Sequence, residues 1–124
     1  MESIEKYNIS VIHFVPSMLN AFMEYLQTTC FTGKPSKLKQ VFASGEALTV
    51  QQVRTFNRLF AGFNQTKLTN LYGPTEATVD VSYFDCPTGS DFETIPIGKP
   101  IDNIQLYVIF PYYCFCILNK ICRN

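Results

Sequence analysis

Basic residues are neither in excess nor clustered in this chain. Ten Lys and Arg balance ten Asp and Glu, so the sequence carries no electrostatic footprint for nucleic acid or an acidic membrane surface. Histidine is scarcer still. His13 is the only one and lies far in sequence from the cysteines at the C-terminus, so a mixed zinc site is a poor fit. Cys114, Cys116 and Cys122 crowd the C-terminus without paired C-x2-C spacing, and Cys30 and Cys86 are isolated. The opening MESIEKYNIS is charged where a signal peptide needs an apolar run, so a cytoplasmic location with reduced thiols is expected. No stretch is a membrane span: the apolar, aromatic end IFPYYCFCILNKICRN is short, and Pro111 interrupts it. Internal repeats and low-complexity runs are absent as well.

What remains is the composition of a folded domain. At 47% hydrophobic and 16% charged residues, 124 positions can bury one modest core, as a single domain or part of a larger one. ISVIHFV, residues 9–15, is β-branched and aromatic and reads as a buried strand closed by Pro16. Ser17 then suits the N-cap of a helix with Leu19, Phe22, Met23 and Leu26 on one face. Gly33 and Pro35 mark a loop, LKQVFAS a second strand ending at Gly45, and Thr49 with Gln52 has capping-box spacing. Val53, Phe56, Leu59 and Phe60 give the next helix an apolar stripe, and Gly62 ends it. KLTNLY reads as a third strand, ATVDVSYFD as an alternating fourth, and NIQLYVI as another. The order β-α-β-α-β predicts an α/β fold, an open and mostly parallel sheet with packed helices.

Open parallel sheets bind ligands beyond the carboxyl ends of their strands. Two loops at such ends carry the unusual residues. In ASGEAL, Gly45 allows close approach of backbone to a flat ligand. In YGPTE, Tyr72 offers an aromatic face for a base, and Gly73 with Pro74 makes a tight turn. Thr75 supplies a hydroxyl for a phosphate oxygen. Glu76 is a hard oxygen ligand of the kind that holds Mg²⁺ beside phosphates. These residues equally suit a plain turn followed by a helix N-cap. Physics leaves both readings open.

NLYGPTEATV resembles the core motif of the adenylation domains of nonribosomal peptide synthetases, within the adenylate-forming ligases. VIHFVPSML, LKQVFASGEAL (with Ser44 for the family's first Gly) and IPIGKPIDNIQLYV resemble neighbouring family segments in the same order. Residues 1–108 then form a partial AMP-binding domain, within the large N-terminal subdomain of such an enzyme. Residues 109–124 are a divergent tail outside the family fold. Carried over, the resemblance implies that Gly45, Glu46, Ala47, Asn70, Tyr72 and Gly73 line the ATP site. Thr75 would contact the α-phosphate and Glu76 would help hold Mg²⁺. An amino-acid carboxylate would attack ATP to give aminoacyl-AMP and pyrophosphate, followed by transfer to the phosphopantetheine thiol of a peptidyl-carrier domain. The protein mainly positions groups and neutralises charge in such a reaction, so no Ser-His-Asp or Cys-His arrangement is required.

The same resemblance places His13, Phe42, Ser44, Leu71, Val79 and Asp80 around the amino-acid side chain. By themselves His13 suits a core histidine and Asp80 the solvated face of a strand. Together their hydrogen-bonding groups suit a short polar side chain, since an apolar substrate would leave them unpaired. The combination resembles the family's serine-activating pattern, which implies serine, then threonine. The family's glycine-rich phosphate loop, ribose-binding aspartate, hinge and C-terminal lysine have no match here, so the chain is expected to be a fragment that is inactive alone. Two other readings compete: a non-catalytic remnant with at most weak nucleotide binding, and a piece of an acyl- or aryl-CoA ligase.

Overall fold

The computed structural model of the chain describes residues 2–28, 37–60, 65–77, 79–89, 91–109 and 114–119. A short helix, α1 (Glu2–Lys6), precedes strand β1 (Val11–Phe14) and helix α2 (Pro16–Thr28). Strand β2 (Gln40–Ala43), helix α3 (Val50–Phe60) and strand β3 (Lys67–Tyr72) follow. A single 3-10 turn at Thr75–Ala77 leads to strands β4 (Ser82–Asp85) and β5 (Lys99–Pro100). The first five strands form one sheet in chain order. β1, β2 and β3 pair in parallel, as connections through α2 and α3 demand, whereas β4 and β5 add antiparallel edges. The fold is thus an open α/β sheet with packed helices. Strands β6 (Ile104–Ile109) and β7 (Cys114–Asn119) pair separately as an antiparallel ribbon. Gly33, Pro35 and Gly62 lie outside the described residues.

Both helices lie on one face of the sheet. Val41, Ala43 and Leu68 meet Leu19 and Met23 of α2 and Val53, Phe56 and Phe60 of α3. Phe56 is fully buried, a contribution of about 2–3 kcal/mol by transfer from water, and its ring stacks on Phe60 with centroids 4.4 Å apart. The residues between these point the other way. His13, Phe42 and Thr69 form one registered row on the opposite face. On that face Thr69 links the sheet laterally: it accepts from Gln40 at 2.9 Å and donates to Asp85 at 2.7 Å.

Several local expectations change. β1 is half-buried, not buried, with Val11 and His13 exposed, because it is an edge strand with helices on one side only. Ser17 is not the N-cap of α2. Pro16, which lacks an N–H, occupies the first helical turn, and Leu19 donates to the Val15 carbonyl at 3.0 Å. The capping box of α3 forms as expected: Thr49 N–H donates to Gln52 Oε1 at 2.9 Å and Gln52 N–H to Thr49 Oγ1 at 3.2 Å. The expected strand ATVDVSYFD is shortened to Ser82–Asp85. The 3-10 turn takes its start, and Val79 adopts a left-handed φ of 78° that no strand tolerates.

Candidate functional site

The carboxyl ends of β2 and β3 open into a cleft of about 360 Å³. One wall is Gly45–Leu48, leaving β2; another is Asn70–Gly73, at the end of β3; Ile95 and Ile97 complete it. Six of the seven residues expected at the ATP site, Gly45, Glu46, Ala47, Asn70, Tyr72 and Gly73, therefore meet at one cleft. Leu71 joins them. Ile95 and Ile97 were not foreseen, since nothing in IPIGKP taken as a string says which side faces β3.

Each wall has a local cause. Gly45 has φ +85°, and a Cβ there would sit 3.3 Å from Val15 Cγ1, so only glycine leaves this loop unstrained beside β1. The Glu46 carboxylate is turned away toward α2, where it accepts from Ser17 N–H at 3.0 Å and from Ser17 Oγ at 3.1 Å. It satisfies a free donor of the first helical turn in place of an N-cap side chain. Asn70 is buried and donates through Nδ2 to the Pro96 carbonyl at 3.0 Å, while fully buried Ser82 donates to the Ile97 carbonyl at 2.8 Å. These two bonds hold the Ile95–Ile97 wall against the sheet. Tyr72 remains 39% exposed, so its ring is available to a ligand.

Thr75 and Glu76 do not line the cleft. They sit exposed in the 3-10 turn just beyond Gly73. Among the described residues no group of three His, Cys, Asp or Glu could enclose a metal ion. Glu76 is one exposed carboxylate, a donor suited to a magnesium ion that takes its other ligands from phosphate and water. The turn is closed at its base. Gly73 packs so tightly on the Val79 carbonyl and Asp80 Cα that an added Cβ would lie 1.9 and 2.6 Å from them. Val81 N–H donates to the Tyr72 carbonyl at 2.8 Å.

The expected substrate residues fall into two groups. His13, Phe42, Ser44 and Leu71 share the sheet face opposite the helices, and His13 Nε2 lies 2.7 Å from Ser44 Oγ. His13 is thus not a core histidine; it is exposed and paired with a hydroxyl. Val79 and Asp80 instead pack by backbone against Gly73, beside Tyr72. Asp80 is half-buried outside any strand, which overturns its reading as a strand-face residue. Buried Cys86 has a thiol pushed up to about 11 by desolvation, with a smaller rise from Asp85; it takes no part in the cleft.

Comparison with known proteins identifies the family. The model of the AMP-binding enzyme family matches residues 1–112. The chain belongs to that family. It is 51% identical over 113 residues to zwittermicin A synthase ZmaJ of Bacillus cereus, covering 90% of this chain and 22% of that protein. With vanchrobactin synthetase VabF of Vibrio anguillarum it shares 43% over 116 residues, 88% of this chain and 4% of the other. The chain thus spans less than a quarter of the length of these relatives. Among solved structures, the holo form of PA1221, a nonribosomal peptide synthetase protein containing adenylation and PCP domains, matches 87% of this chain and 18% of its own. Its TM-score is 0.70 at 25% identity. FmoA3, a nonribosomal peptide synthetase in its AMPPNP-bound form, matches in fold with a TM-score of 0.74 at 18% identity, over 87% of this chain and 11% of its own. Among the described residues no helix is long and apolar enough to cross a membrane.

Proposed function

We propose that this chain is the nucleotide- and amino-acid-binding middle of an adenylation domain with a serine-type pocket. The observation that carries the reading is the His13–Ser44 pair at 2.7 Å on the open sheet face, one strand-end away from the cleft between Gly45–Leu48 and Asn70–Gly73. A carboxylate bound on that face and a nucleotide in that cleft would meet at the ends of β2 and β3. Tyr72 would stack on adenine, the Gly45–Ala47 backbone would edge it, and Thr75 would contact the α-phosphate. Glu76 would be a protein ligand to Mg²⁺, which supplies charge neutralisation at the phosphates. A peptidyl-carrier domain is the partner that would take up the activated acyl group. The boundary near residue 108 and the tail beyond it belong to the same proposal.

The polarity of this face also weighs against an acyl-CoA ligase: His13 and Ser44 satisfy each other at 2.7 Å, but a fatty chain would leave their remaining hydrogen-bonding capacity, and that of Asp80, unused. The test is amino-acid-dependent exchange of pyrophosphate into ATP by a complete adenylation domain in which residues 1–108 replace their counterparts. Serine should support the highest rate, with threonine next. A preference for a large apolar amino acid would overturn the substrate assignment. The 124-residue chain assayed alone should give no exchange; robust turnover would refute its incompleteness.

A further inference from the structure

Three consecutive residues leaving β2 engage the chain leaving β1 in order. Ser44 N–H donates to the Phe14 carbonyl at 3.1 Å while its hydroxyl meets His13. Gly45 lies against Val15. Glu46 then accepts two hydrogen bonds from Ser17. The first contact belongs to the amino-acid face and the last two to the nucleotide cleft, so this short zipper is the physical link between the two half-sites. α3 is drawn into the same junction, because Gln52 Nε2 donates to the Pro16 carbonyl at 2.9 Å.

We propose that Glu46 is a positioning residue. Its carboxylate does not meet the nucleotide; it fixes the Gly45–Leu48 wall to the N-terminus of α2, and so sets that wall's distance from Tyr72 and its registry with Ser44 and His13. The proposal rests on the cleft being a nucleotide site. Two bonds to one carboxylate give the geometry, and the favourable end of the helix dipole adds to them. A glutamine can keep that geometry without the charge: its carbonyl accepts from Ser17 N–H and its amide donates to Ser17 Oγ. An alanine keeps neither.

That difference makes the test. The full chain, labelled with ¹⁵N, is followed by NMR for amide hydrogen exchange at Ser17 and Ala47, and titrated with ATP. In Glu46→Ala, exchange at both amides should quicken and ATP affinity should fall about fivefold, the loss expected for exposed charge-assisted bonds. Glu46→Gln should stay within about twofold of wild type in both readouts, and Ser17→Ala, which keeps the N–H, should fall between. Glutamine as damaging as alanine would mean that the charge acts on the ligand, and would overturn the proposal. So would Glu46→Ala with unchanged exchange, or with unchanged affinity. A wild-type chain whose spectrum ignores ATP refutes the nucleotide reading itself, and this proposal falls with it.

Discussion

From Ser44 to Leu48, the loop after β2 is fastened by side chains to other elements: Ser44 to His13, Glu46 to Ser17, and Leu48 into the core. From Gly73 to Asp80, the loop after β3 is fastened, among the described residues, by backbone at its base, where Gly73 meets Val79 and Val81 bonds to Tyr72. Its tip holds Thr75 and Glu76 in the open. The two loops border one cleft, yet one is a fixed wall and the other a clamped finger. If the cleft takes a nucleotide, as proposed, groups that reach a phosphate belong on the second, and contacts that only shape a base site belong on the first.

Breaking the clamp should have the largest effect. In Gly73→Ala the new Cβ meets backbone on both closest sides, and backbone cannot rotate away as a flexible side chain can. The base of the loop must open, at a cost of roughly 3 kcal/mol or more. Urea denaturation measures this directly. A loss under about 1 kcal/mol would mean that the two segments separate easily and the finger is not clamped.

Relaxing the same loop should stabilise the chain. Val79 is β-branched, 69% exposed, and held at φ 78°, a conformation that costs roughly 1–3 kcal/mol. Val79→Gly removes that strain and little buried surface, but gives the unfolded chain more freedom. The net expectation is a gain of about 1 kcal/mol in the same denaturation experiment. A loss would show that the Val79 side chain contributes packing that outweighs its strain. On the other loop, Thr49→Ala removes the hydroxyl of the capping box that passes the wall into α3. Thermal unfolding should report a loss of about 1 kcal/mol, and an unchanged midpoint would mean that Gln52, through Pro16, holds the helix start unaided.

Much of this contrast was legible in the sequence, and the unreadable part has a pattern. Local signals told true: KLTNLY is β3 residue for residue, and the Thr49–Gln52 spacing is a capping box. Each is decided by neighbours within a few positions. What escaped were partners far along the chain. Ser17 looks like a cap because nothing nearby announces that a carboxylate 29 residues later will satisfy its N–H. ATVDVSYFD alternates like a strand, but the Gly73 contact draws Val79 and Asp80 back toward Tyr72 and leaves only four residues to pair. Ile95 and Ile97 enter the cleft because buried Asn70 and Ser82 hold the carbonyls of Pro96 and Ile97. The α1 helix was missed altogether, although Asn8 at φ 52° closes it by a bond from Ile9 N–H to the Ile4 carbonyl at 2.9 Å.

The sharpest use of the comparison involves the smallest change in stability. Thr75→Ala combined with Glu76→Gln alters two exposed side chains that make no hydrogen bond to any described residue. Unfolding free energy should therefore move by no more than about 0.5 kcal/mol. A wall residue could not be so silent, because the wall is built from its side-chain contacts. If the finger exists to present groups to a ligand, the same double variant should lose the magnesium-dependent part of ATP binding and keep the magnesium-independent part that Tyr72 and the wall supply. Titration with ATP in the presence and absence of Mg²⁺ separates the two. Equal losses in both conditions would place Thr75 and Glu76 in the shape of the cleft, and the distinction between wall and finger would disappear.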